Sequence, residues 1–201
     1  MALTSSRLTN FWSLIRATPI MNLYFLGLNF ASKLTFDSLY LFITYIICVF
    51  SNHILKNLFK IIYNLFNVKE IPILGRGIRP DGATNCGTFL FYPDKPATSY
   101  GMPSGHSQSI WFLVTYLILI IKDKKINLFE KRINKKYNEV IKYTSICGLL
   151  CIGLLVSYSR VEIEGCHTKE QVILGGLIGA SIGYIAYIFK DVVNLIFNKV
   201  F

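Results

Sequence analysis

Acidic side chains are scarce in this 201-residue chain: 11 Asp and Glu stand against 21 Lys and Arg, a formal net charge of +10. Closely spaced cysteine pairs of the C-x-x-C kind are missing too. The five cysteines contain no C-x-x-C, which argues against the common structural zinc modules. Six prolines are present and five of them fall within residues 67–105, so the rest of the chain has almost nothing to break a helix. There is no N-x-S/T sequon, no internal repeat and no low-complexity tract. Residues 1–13 lack a long apolar core followed by a small-residue cleavage site, so no cleaved leader is expected.

Apolar residues, by contrast, are abundant. They make up 53% of the chain, and the mean hydropathy is +0.47. A soluble domain rarely combines that apolar content with this much charge; a membrane protein does so by placing charge in loops and apolar side chains against lipid. The Lys and Arg residues flank apolar runs and do not line one polar helix face, which argues against a nucleic-acid partner. The expected class is a single-domain, all-α integral membrane bundle of about five or six helices. Spanning segments are expected at residues 37–55, 106–122, 142–159 and 171–189, with a shorter fifth at 19–31. Residues 56–66 read as an amphipathic surface helix, with Leu58, Ile61, Ile62 and Leu65 at helical spacing, and the tail 190–201 reads likewise.

Two loops differ in kind. Residues 122–142 carry eight Lys or Arg against three acids, so the positive-inside rule places them in the cytoplasm. Counting crossings then puts the long, turn-rich loop 67–105 and the connection 159–170 together on the non-cytoplasmic face, the endoplasmic reticulum lumen in a eukaryote. That shared face gathers Arg79-Pro80 within GRGIRPDG, Pro103-Ser104-Gly105-His106 at a helix start, and Ser159-Arg160 followed by His167. Arginine forks match phosphate oxygens, and the N–H groups of Ser104, Gly105 and His106 at a helix N-terminus favour an anion. The third histidine, His53, lies near a helix end and reads as an interfacial residue.

The order RP, PSGH, SR…H resembles the three-part signature of the type-2 phosphatidic acid phosphatase superfamily, over roughly residues 69–190. YGMPSGHSQSIWF (100–112) and SRVEIEGCHTKEQVILGG (159–176) are similar to its dolichyl-diphosphatase branch. The resemblance implies metal-independent hydrolysis of a lipid phosphate or diphosphate, best a polyprenyl diphosphate, with no cofactor. His167 would be the nucleophile and His106 the acid and base. Arg79, Arg160, Ser104 and the Gly105 amide would hold phosphoryl oxygens. A lipid phosphotransferase, or an inactive lipid-binding scaffold, is the alternative.

Three departures from the pattern stand out. The lysine expected seven residues before the motif arginine is Pro72, with Arg76 or Lys69 as substitutes. Six residues, 161–166, separate Arg160 from His167, where the pattern has five, so either the loop bulges or the site is altered. Gln171 replaces an aspartate, and its carbonyl can accept the histidine Nδ1–H. Gly175, Gly179 and Gly183 are expected to bring two helices close. Glu162 and Glu164 are expected to be solvated loop acids, with orienting a histidine as the alternative for either; Cys48, Cys147 and Cys151 are expected to be core residues, and Cys86 and Cys166 a disulfide pair.

Overall fold

The computed structural model describes residues 11–84, 87, 96–97, 99–123 and 135–200. They form an all-α bundle of α1 (residues 11–16), α2 (Thr18–Lys33), α3 (Phe36–Leu65), α4 (Gly105–Lys122), α5 (Lys135–Tyr158) and α6 (Lys169–Val200). A π-helical turn, Ser159–Ile163, ends α5. In the loop after α3, β1 (Glu70–Ile71) pairs antiparallel with β2 (Gly75–Arg76).

Local chemistry explains the boundaries. Pro19 sits in the first turn of α2, where its missing N–H costs nothing. Thr35 caps α3, its Oγ1 accepting the Ser38 N–H at 3.4 Å. No glycine or proline interrupts residues 36–65, so α3 is one 30-residue helix that absorbs the surface helix expected at 56–66. The tail beyond residue 189 likewise continues α6. At about 1.5 Å per residue, α3 is ~45 Å long and overruns a hydrocarbon core of ~30 Å. Its last turns therefore carry side chains past the apolar zone.

Among the described residues, three helical stretches are long and apolar enough to cross a membrane: Phe36–Leu65, Asn138–Ile163 and Lys169–Lys199. They expose large apolar side chains, among them Ile47 and Phe50, Leu154, Ile173 and Leu177. Such a surface suits lipid and would aggregate in water. Cys147 and Cys151, expected in the core, lie on this exposed surface, while Cys48 is buried. The core forms around α4, where Leu41, Tyr45, Cys48, Phe112, Leu113, Tyr116 and Ala186 pack together. A second cluster joins Ile110 and Val114 of α4 to Val156 of α5.

The glycine stripe of α6 lies against the backbone of α4. A Cβ on Gly175 would stand 2.5 Å from the Ser104 carbonyl oxygen, and one on Gly183 2.5 Å from that of Phe112. Between them, a Cβ on Gly179 would overlap the Gln108 carbonyl. Backbone cannot retreat as a side chain can, so α6 would have to move away from α4. Gly179→Leu is expected to lower the melting temperature in detergent sharply, by more than the ~1–3 kcal/mol of ordinary overpacking. Gly148→Ala is the matched control, because a Cβ there meets nothing within 4 Å.

Candidate active site

The loop carrying Arg79 is held by α6. Gln171 donates its side-chain amide hydrogens to the carbonyls of Arg76 at 2.8 Å and Ile78 at 2.7 Å. Arg79 is fixed in turn by Ser99, its Nε donating to the Ser99 carbonyl at 3.0 Å and its Nη2 to Ser99 Oγ at 2.8 Å. Its Nη1 donates to the Cys166 carbonyl at 2.9 Å and lies 3.3 Å from His167 Nε2.

The amide orientation of Gln171 decides the tautomer of His167. Both N–H groups of Gln171 are spent on carbonyls, so its Oε1 is the atom 3.0 Å from His167 Nδ1. Nδ1 must therefore carry the hydrogen, and Nε2 presents a lone pair towards Arg79. Burial pushes the His167 imidazole well below its ordinary range, and the charges of Arg79, Arg160 and Lys56 push it further down. The hydrogen bond to Gln171 opposes them. His167 is thus a neutral imidazole at physiological pH.

The extra residue between Arg160 and His167 is taken up by the π-helical turn. Glu164 N–H donates to the Ser159 carbonyl at 2.9 Å, an i to i−5 bond, and Gly165 at φ 57° reverses the chain. The N–H groups of both Cys166 and His167 then reach the Arg160 carbonyl at 3.2 Å. The insertion widens one helical turn and leaves His167 facing the cavity. It also turns Glu164 inward: its side chain is only 3% exposed and accepts from Arg160 Nη1 at 2.6 Å. The expectation of a solvated acid fails at Glu164, because two arginines surround it, and holds for Glu162, which meets Lys169 only at 3.9 Å.

Arg79, Gly105, His106, Arg160 and His167 line one cavity of about 200 Å³. The structure thus brings together all three sequence clusters. Ser104 is not among the lining residues, and its N–H donates to the Gln171 carbonyl at 3.0 Å, so that N–H is not free for an anion. Its hydroxyl is buried, makes no cap bond and has no partner among the described residues. A polar lattice fixes the start of α4, with Gln108 Nε2 donating to the Cys48 carbonyl at 2.9 Å and Asn52 Nδ2 donating to Gln108 Oε1 at 2.9 Å.

Neither expected substitute lysine position is filled as anticipated. Arg76 points to Asp81, 3.6 Å away at the exposed surface, and Lys69 is exposed; neither lines the cavity. Lys56 does. It lines the cavity beside Arg79 and Arg160, with its Nζ donating to the Tyr100 carbonyl at 2.8 Å. The signal was its place one turn beyond His53 on a helix face, which helical periodicity alone reads as amphipathic. His53, read as merely interfacial, also lines this cavity and an adjoining one of about 830 Å³ that contains Lys60. Cys166 is disulfide-bonded, while its expected partner Cys86 lies outside the described residues.

Residues 37–194 match the PAP2 superfamily, and the chain belongs to it. Among curated relatives, it is 35% identical over 107 residues to Dolichyldiphosphatase 1 of Homo sapiens, covering 51% of this chain and 42% of that protein. It is 38% identical over 86 residues to the Mus musculus protein of the same name, covering 41% and 33%. It is 32% identical over 106 residues to Dolichyldiphosphatase of Saccharomyces cerevisiae, covering 52% and 39%. The aligned stretch spans less than half the length of these relatives. No solved structure matches.

Proposed function

We propose that this protein hydrolyses a membrane-anchored phosphate or diphosphate, a polyprenyl diphosphate foremost, through a phosphohistidine on His167 and without a metal ion. The observation that carries this is the buried neutral His167, its Nε2 lone pair facing a cavity lined by Lys56, Arg79 and Arg160. The Arg79 and Arg160 guanidiniums would repel a divalent metal and attract a phosphoryl group, with Lys56 beside them.

An incoming phosphoryl oxygen takes the Arg79 N–H that now meets Nε2, and so releases the lone pair. Nε2 then attacks the terminal phosphorus, and the bond to the bridging or ester oxygen breaks. His106 takes a proton onto its free nitrogen from the protonated phosphate of the incoming substrate and passes it to that leaving oxygen; in the second step the same nitrogen removes a proton from the water that cleaves the N–P bond. Arg79, Arg160 and Lys56 balance the charge on the equatorial oxygens. The adjoining cavity shares Lys56 and Arg79 and adds Lys60, which gives a second phosphate both room and charge. The dolichyldiphosphatase names of the relatives support the same choice. The basic loop 122–142 supports a non-cytoplasmic site, with the lipid tail left in the bilayer.

The test is phosphate release by purified protein in detergent with EDTA, from polyprenyl diphosphate, polyprenyl monophosphate and phosphatidic acid. Release is expected to survive chelation and to be fastest from the diphosphate. An acid-labile, base-stable phosphoprotein should be trapped on quenching. Release abolished by EDTA sinks the metal-free mechanism, and no release from any of the three sinks the phosphatase reading.

A further inference from the structure

His106 also has one nitrogen tied, and its partner comes from outside the sequence motifs. Its Nε2 lies 2.9 Å from the main-chain carbonyl of Arg16, at the end of α1. A carbonyl only accepts, so Nε2 carries the hydrogen and Nδ1 is left as the nitrogen for proton exchange. The Arg16 side chain meanwhile reaches Glu164: its Nε lies 3.2 Å from Oε2, an ion pair by distance although the N–H is not aimed at that oxygen. The same oxygen holds Arg160 at 2.6 Å.

The segment is seated by contacts of its own. Ile15 packs on the cluster of Ile110, Val114 and Val156, and the ring of Trp12 meets that of Tyr158 at 6.3 Å. Ile110 lies one helical turn after His106, so seating Ile15 there sets Arg16 beside the histidine.

We propose that Arg16 is a positioning residue, whose carbonyl fixes the proton-transfer tautomer of His106 while its ion pair with Glu164 anchors that carbonyl. α1 thereby does for His106 what Gln171 does for His167. The proposal rests on the phosphatase reading and deepens it.

The test compares kcat/KM for two water-accessible monoesters, dodecyl phosphate and p-nitrophenyl phosphate, in wild type, Arg16→Ala and Arg16→Lys. An alkoxide leaves only with a proton supplied, whereas p-nitrophenolate departs without one. A defect acting through His106 must therefore be larger for the alkyl ester. For Arg16→Ala the expected loss is roughly tenfold to a hundredfold on dodecyl phosphate, within the range of general acid catalysis, and several times smaller on the aryl ester. Arg16→Lys should restore most of it, since a lysine can still pair with Glu164.

Equal losses on both esters would place the effect in phosphate binding by Arg160 or in the fold, and would overturn the proposal. So would no loss on either. If Arg16→Ala does not fold, Glu164→Gln weakens the same anchor and must show the same ester dependence. A wild type inactive on both esters and on polyprenyl diphosphate overturns the phosphatase reading itself; an active wild type with an ester-independent defect overturns only the role of Arg16.

Discussion

His167→Ala is expected to abolish phosphate release and phosphoprotein trapping while leaving the melting temperature close to that of wild type. Removing a nucleophile that acts in concert with other groups costs on the order of 10⁴–10⁶ in kcat, or about 5–8 kcal/mol of barrier. No neighbour can take over. Of the other two cavity histidines, His106 has its Nε2 engaged by Arg16, and His53 is an exposed residue of α3. The fold should survive because His167 contributes one side-chain bond to Gln171, whose amide would still hold the Arg76 and Ile78 carbonyls. Residual turnover within a factor of ten of wild type would rule out the phosphohistidine.

The same residue gives a pH signature. Its imidazole is pushed below the ordinary value by burial and by Arg79, Arg160 and Lys56, so the neutral form persists as pH falls through the range where a free histidine gains its proton. Protonation, and with it loss of the nucleophile, comes only at more acid pH. In ¹⁵N-histidine spectra, the His167 signals, assigned by their absence from the alanine variant, should stay neutral through about pH 6.5. Added vanadate should move the titration upward, since an anion between the cations and the imidazole relieves their repulsion. Titration at the free-histidine value in the empty protein would contradict the buried geometry.

The motif residues were legible in the sequence because each cluster is local and chemically unusual. RP, PSGH and SR…H bring arginines and histidines together within a few positions, and hydropathy places them on one face. The helical bundle was legible for a similar reason, since long apolar runs admit few folds in lipid. The helix ends were less so. Hydropathy drops at Lys56 and Lys190, but the backbone has no reason to stop where polarity changes, and α3 and α6 run on. Glu164 was misread for a physical reason as well: an acid in a loop is solvated unless a cation meets it inside, and the two that do, Arg16 and Arg160, lie on different helical segments. Sequence spacing says nothing about such a meeting. The extra residue before His167 left a bulged loop and an altered site both open, and the π-helical turn at Ser159–Ile163 is such a bulge.

Lys56→Met should be the most damaging substitution outside the recognised motifs. The position seven residues before Arg79 is a proline, so a lysine placed by spacing does not exist in this chain. Lys56 arrives instead from the overrunning end of α3, where its Nζ sits against the Tyr100 carbonyl on the cavity wall. Deleting one preorganised donor to transition-state charge costs about 10²–10³ in kcat, or ~3–4 kcal/mol. Methionine keeps the length and apolar stem of lysine, so the loss should appear without a fall in melting temperature. Arg76→Met and Lys69→Met are the decisive comparisons. Arg76 gives up only an exposed pairing with Asp81, worth ~0–1 kcal/mol, and its carbonyl still receives Gln171. Lys69 reaches nothing in the cavity. A large loss in Lys56→Met with near-wild-type rates in the other two would assign the third phosphate-binding cation to α3. The reverse pattern would mean that the loop carrying Arg79 rearranges around substrate and that spacing, not the resting geometry, was the better guide.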